Sequence, residues 1–279
     1  MLDRPAIGSR ATPALQRAEG KGRIAAKTRD GRTALDTLYQ HGCAKIRLPK
    51  SHDGRLQAVL VNSSGGLTGG DRMRWSVRAG AGTRLVVTTQ ACERIYRSAG
   101  GAALVATTLH AESAARLDWL PQETILFDGS SLDRKLDVEL AEDAAFLGVE
   151  AIILGRQAHG DPGFFATIRD CWSVRRGSRL IHAEAARLDG GDALARDNPA
   201  LLDGTRAYAT LLYVADDAER RIDPVKALVA PHATAGASRI GDKIVVRAMA
   251  GSGQHLRRIV TPLVEALSPG GVVPKVWTL

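Results

Sequence analysis

The stretch VNSSGGLTGGDRM, Val61 to Met73, places four glycines and an aspartate between two apolar runs. A glycine-rich loop that ends in a charge has the residue types for holding a phosphate or a metal ion. A phosphate loop of the GxxxxGK[ST] kind needs a lysine that reaches the phosphates. No lysine follows these glycines, and Asp71 stands where an anion would have to approach. A dinucleotide fingerprint needs G-x-G-x-x-G between a strand and a helix. Gly66-Leu67-Thr68-Gly69 has a different spacing, and a strand-like run follows it. Nor does the chain carry the G-x-S-x-G turn that exposes a nucleophilic serine.

Metal chemistry of the usual kinds is equally poorly served. The seven histidines form no HExxH pair, and Cys43, Cys92 and Cys171 form no CxxC. A structural zinc site of ordinary spacing is therefore not expected. Three scattered cysteines suit a reducing compartment better than a disulfide scaffold. His41 and Cys43 are two residues apart and share one face if they lie on a strand, a placement that is more often incidental. Asn62-Ser63-Ser64 is an acceptor sequon, but residues 1–20 are basic and alanine-rich with no apolar stretch. They are expected to form a loose arm, not a secretory leader.

The elements that must position such residues read as strands. GRIAAKTR, LQAVLVN, DRMRWSVRA, TRLVVTT and AALVATTLHA are short, rich in Val, Ile and Thr, and separated by Gly-containing turns. In LDVEL, Leu136, Val138 and Leu140 share one face. Two further strands are expected to meet near Arg176-Gly177-Ser178. Helical spacing is confined to the last third. DDAERRIDPVKALVA starts acidic, with Pro224 expected near the helix start. Leu256, Ile259, Leu263 and Leu267 recur about one turn apart, with Pro262 expected to kink or interrupt that helix. No composition break follows the arm, so residues 21–279 are expected to be one domain.

A net charge of +8 favours an acidic partner. Nucleic acid is disfavoured, because the arginines are scattered and aromatic residues are only 4%, too few to build stacking platforms. No run of apolar residues is long enough for a transmembrane helix.

Three segments remain unexplained: the opening loop, VVTTQACERIYRSAGG (Val86–Gly101) and LDWLPQETILFDGSSL (Leu117–Leu132). The Pro121-Gln122-Glu123 of the third interrupts an apolar strand, which suggests a bulge or a buried polar feature. In this order the three resemble the urease accessory protein UreD family, called UreH in some organisms. The resemblance rests on Asn62 to Asp71 with Gly65, Gly66, Gly69 and Gly70, then Thr88-Thr89-Gln90-Ala91 with Tyr96-Arg97-Ser98, then Leu120-Pro121-Gln122-Glu123 with Ile125 and Phe127. Leu154-Gly155-Arg156 and the ending Pro274-Lys275-Val276-Trp277 extend it, so that it spans about Gly22 to the end. Ser63, Asp161, Cys92 and Glu93 depart from the family's pattern.

The resemblance implies a mainly β fold of stacked mixed sheets with helical-like winding and about two helices in the C-terminal third. It implies a cytoplasmic scaffold, not an enzyme, that helps insert nickel into the urease apoprotein. The implied partners are UreF and the GTPase UreG, with GTP held by UreG. No cofactor is expected to be tightly bound; nickel is cargo in transit. The family's acidic route positions fall on Asp71, Glu150 and Glu184, with Glu123 a weaker candidate. Carboxylates bind nickel loosely compared with imidazole or thiolate, which suits an ion that must leave as readily as it enters. The plainer alternative is that each acid pairs with an arginine such as Arg72, Arg156 or Arg187. A β-rich metal hydrolase centred on Asp71, Glu123 and Glu150 is the contrasting class; it requires tight stoichiometric metal and turnover by the isolated chain.

Overall fold

The computed structural model describes residues 16–51, 53–155, 165–189, 198–199, 201–271 and 273–277. The chain begins with a hairpin of β1 (Glu19–Arg29) and β2 (Arg32–Gly42). Its two-residue turn, Asp30-Gly31, has φ of 50° and 70°. Positive φ at both positions gives the turn whose twist matches the paired strands. β3 (Ala44–Arg47) and β4 (Leu56–Asn62) then pair in a second sheet.

From there the chain winds. β5 (Arg72–Ala79) lies in the first sheet and β6 (Arg84–Thr89) in the second, with short β7 (Glu93–Ile95) at the side. The next turn repeats this with β8 (Ala103–Ala111), β9 (Arg116–Leu120) and β10 (Thr124–Leu126). A third begins with β11 (Ser130–Leu140) and β12 (Ala145–Leu154), and β13 (Ala166–Arg176) returns to the first sheet. Successive turns stack in parallel register: β5 on β8, β8 on β11, β6 on β9, β7 on β10. Side chains one turn apart therefore meet at a sequence separation of 31, as in Asn62–Glu93, Cys92–Glu123, Arg97–Asp128 and Trp119–Glu150.

β14 (Arg179–Leu188) closes one edge of the first sheet, whose order is β14-β13-β11-β8-β5-β1-β2. The second sheet continues antiparallel with β15 (Ala207–Val214), β16 (Ala235–Ile240) and β17 (Lys243–Ala250), in the order β16-β17-β15-β12-β9-β6-β4-β3. Helices α1 (Ala218–Val229) and α2 (Gly253–Leu267) lie on its outer face. One apolar core fills the space between the sheets and a second the space under the helices.

The mainly β architecture and the two late helices agree with the sequence. Two expectations about proline do not. Pro224 is interior to α1, and α2 runs unbroken through Pro262. Buried Leu256, Ile259, Val260, Leu263, Val264 and Leu267 give α2 a continuous apolar face. That packing outweighs the backbone hydrogen bond each proline removes. The expected arm at residues 1–20 falls mostly outside the described residues; β1 already begins at Glu19.

Candidate functional site

The three motif segments stack at one corner of the winding. Leu67 N–H donates to Arg94 O (2.8 Å), and Tyr96 N–H to Leu67 O (2.7 Å). Phe127 N–H donates to Ile95 O (2.9 Å), and Gly155 N–H to Leu126 O (2.8 Å). Ser98 N–H reaches Gly129 O, Tyr96 packs 5.1 Å from Phe127 between ring centroids, and Arg97 pairs with Asp128. The motif is thus one column, with each segment supplying a layer.

Glycine is required in the first layer for two distinct reasons. Gly66 and Gly70 have φ of 145° and 89°, which side-chain-bearing residues rarely adopt. Gly69 has no positive φ; a Cβ there would collide with Ser98 Oγ and the carbonyls of Gly100 and Gly101. The constraint at Gly69 is crowding, not backbone conformation. In the third layer the Pro-Gln-Glu interruption is a buried polar feature. Gln122 N–H donates to Thr89 Oγ1 (2.9 Å), and its amide to Gln90 O (2.8 Å). Pro121 is buried beside it. Thr88 Oγ1 accepts from the Trp277 indole, so the short turn at Lys275–Trp277 is fastened to the second layer.

The candidate carboxylates occupy separate settings. Asp71 is 5% exposed, and its two oxygens accept from Ala18 N (2.7 Å) and Thr68 N (2.8 Å). It ties the residue just ahead of β1 to the glycine loop. Glu123 is held by Arg257 of α2 (Nε 2.9 Å) and accepts from the Cys92 thiol (3.3 Å). Burial, then the neighbouring Glu123 charge, pushes that thiol up to about 11, so it is inert as a nucleophile at neutral pH.

Glu150 accepts from Trp119 Nε1 (2.9 Å) and Arg134 Nη1 (2.5 Å). Arg134 also grips Asp170 bidentately, Nε to Oδ1 at 3.0 Å and Nη2 to Oδ2 at 2.6 Å, and reaches Thr124 Oγ1. All three charged groups are buried between the sheets. Two carboxylates share one guanidinium, so burial and the Asp170 charge push Glu150 up despite Arg134 and Trp119. Glu184 of β14 is held by Arg247 of β17 (Nη2 2.6 Å, Nη1 3.1 Å). His182 Nε2 approaches it to 3.2 Å without a well-aligned hydrogen bond. Burial raises Glu184, but the His182 and Arg247 contacts prevail and hold it below the usual range. The arginine partners are therefore Arg134, Arg247 and Arg257, not Arg72 or Arg187. Arg156 and Asp161 lie outside the described residues.

Sequence reasoning passed over Glu93, Arg134, Asp170 and Tyr208. Glu93 accepts from the Asn62 amide at 3.1 and 3.2 Å, beside a cavity of about 150 Å³ that Trp75 also lines. Burial pushes it up. On neighbouring β10 its register partner is Thr124, which Arg134 contacts. Tyr208 interacts electrostatically with Asp170, Arg134 and Glu184, and lines a groove of about 540 Å³ together with Arg247. Polar groups thus follow one another from Asn62 and Glu93 through Thr124, Arg134, Glu150 and Asp170 to Tyr208 and Glu184. Among the described residues no three His, Cys, Asp or Glu side chains are arranged to hold a metal ion.

Comparison with known proteins matches residues 18–278 to the family model described as UreD urease accessory protein. A urease accessory protein UreD of Chelativorans sp. (strain BNC1) is 51% identical over 270 residues, covering 96% of this chain and 97% of its own. One of Rhizobium leguminosarum bv. trifolii is 54% identical over 264 residues, covering 95% and 96%. One of Agrobacterium fabrum is 48% identical over 264 residues, covering 95% and 92%. With stacked motif layers, near-complete coverage and about half of all positions shared, the chain belongs to the UreD urease accessory protein family.

Proposed function

We propose that this chain is a non-catalytic cytoplasmic scaffold that supports nickel insertion into the urease apoprotein. It acts together with UreF and with UreG, on which GTP is hydrolysed. The single observation that supports a transit role is the succession of polar groups through an otherwise apolar intersheet core. Burying two carboxylates against one guanidinium is costly, and fold stability alone gives no reason for it. With two carboxylates to one guanidinium, a passing cation can take the place of the Glu150 proton without displacing Arg134. Each of the four carboxylate oxygens already accepts a hydrogen bond from the guanidinium or the indole, so the pair offers an ion only a loose hold. Asp71 and Glu123, held by backbone N–H groups and by Arg257, fit structural roles better than transit. No helix of the described residues is long and apolar enough to cross a membrane.

The test is co-expression of the urease genes with and without this chain at ordinary nickel, followed by metal analysis of the purified urease. Urease that stays nickel-free only when the chain is absent supports the proposal. Fully loaded, active urease in its absence overturns it.

A further inference from the structure

The winding leaves one strip of the second sheet's outer face without helix cover. α1 and α2 pack over β12, β15 and β17. At the β3–β4 end, a groove of about 650 Å³ runs between those strands and the final turn at Lys275–Trp277, and neither helix lines it. Strand alternation explains its chemistry. Ala44 and Ile46 of β3 point into the intersheet core, so Lys45 and Arg47 point outward, opposite Val61 and Val59 of β4. Lys50 and Lys275 add two more cations, and among the described residues no carboxylate lines the groove. Lys45 Nζ donates only to Gly42 O, and among the described residues Lys45, Arg47 and Lys50 enter no ion pair. The floor is aliphatic, with Leu48, Val59, Val61 and Val276.

We infer that this groove docks an acidic, aliphatic peptide segment of a partner protein, with carboxylates meeting the basic rim and aliphatic side chains covering the floor. A volume of this size accommodates a few side chains. Charge selects among occupants. A second copy of the chain carries the same net charge of +8 and is repelled. Among the described residues no aromatic ring lines the groove, so they offer no stacking platform for a nucleic-acid strand. A small inorganic anion leaves the aliphatic floor uncovered. The edge of β3 does not compete for a partner strand, because Gln40 Oε1 already accepts from Ile46 N–H (2.6 Å). Recognition therefore falls to side chains. The inference deepens the scaffold reading by naming the chemistry of one partner segment, and it rests on that reading for the partner's origin.

The experiment is fluorescence polarisation of the full chain with a labelled peptide alternating Glu and Leu. Saturable binding is expected, at least tenfold tighter than that of an all-Glu peptide. The double variant K45E/R47E weakens it at least tenfold, and K50E, in an exposed loop, weakens it in the same direction. R239E, remote on β16, leaves it unchanged, which removes overall charge as the cause. The inference is overturned by absence of saturable binding, by equal binding of the all-Glu peptide, by indifference to K45E/R47E and K50E, or by tighter binding of a labelled thymidine oligonucleotide. Failure of the two readings is distinguishable. If urease needs the chain but K45E/R47E binds peptide as the unsubstituted chain does, the groove assignment fails alone. If urease is loaded without the chain, the scaffold reading fails and the peptide result is unaffected.

Discussion

The space between the two sheets and the space beneath the helices are both closed to water, yet they are filled differently. Under the helices, Leu147, Val149, Leu211, Val225, Leu256 and Leu263 meet around one buried pair, Asp118 with Arg116, with further pairs at the rim, as in Arg257–Glu123 and Arg221–Asp217. Between the sheets, Phe146, Leu117 and Trp172 share their core with Arg134, Asp170 and Glu150. The helix-covered layer therefore balances its single buried carboxylate with one guanidinium, whereas the intersheet layer sets two carboxylates against one. The intersheet layer tolerates a polar succession that a purely structural core would replace with aliphatic side chains.

Arg134→Met breaks this contrast most sharply. It leaves Glu150 and Asp170 buried without a counter-charge, and a loss of about 3–5 kcal/mol is expected in chemical denaturation. Adding E150Q and D170N to it restores much of that loss, because the uncompensated charges are gone. In the helix-covered layer, Leu263→Ala costs about 2–5 kcal/mol through lost burial and a residual cavity. No charge substitution rescues it, and urease activation falls only in proportion to the folded chain. If R134M proves as mild as a surface change, the buried charges are not coupled as the distances indicate.

How much of this was legible in the sequence depends on the kind of constraint. Alternation marked β11, and Leu136, Val138 and Leu140 are all buried. The same alternation places Arg134 in the buried phase of β11, and Asp170 and Arg176 in that of β13. A charge in an apolar phase was thus a readable signal for the site. The recurrence at 31 residues was not readable, because the residues that meet across it are unlike: amide with acid, thiol with acid, indole with acid. Parallel coiling fixes spacing, not residue type. The acids' partners were sought among nearby arginines, whereas Arg247 and Arg257 come from elements that return from far along the chain. Both prolines misled for the same reason, since helix packing overrode a local rule.

Glu150→Gln separates stability from transit. The amide keeps the shape, and Arg134 retains its bidentate hold on Asp170. Both Glu150 oxygens accept hydrogen bonds, so the amide turns its NH2 toward Arg134 or Trp119 and loses one of the two, at a cost of about 1–3 kcal/mol. Urease nickel loading is expected to fall several-fold at limiting nickel, measured on urease co-purified from cells with equal amounts of folded chain. Unchanged loading would make the buried pair structural and bring the two layers closer together in kind.

Glu184→Gln has the smallest expected effect, and its pH dependence sharpens the comparison. Arg247 is 62% exposed, so water screens its pair with Glu184, and the cost at neutral pH is about 0–1 kcal/mol. Glu184 is held below its reference value of 4.5. A carboxylate depressed in the folded state stabilises above its unfolded pKa, and the contribution disappears as pH falls through the folded one. The gap between wild type and E184Q should therefore be constant near neutrality and close below pH 4.5. Glu150, raised instead, gives the opposite sign: it favours folding at low pH and loses that contribution as pH rises through its folded pKa. Denaturation midpoints of E184Q and E150Q followed across this range should diverge from wild type in opposite directions. Parallel curves would mean that the exposed end of the polar succession and its buried middle experience the same field, contrary to their different partners.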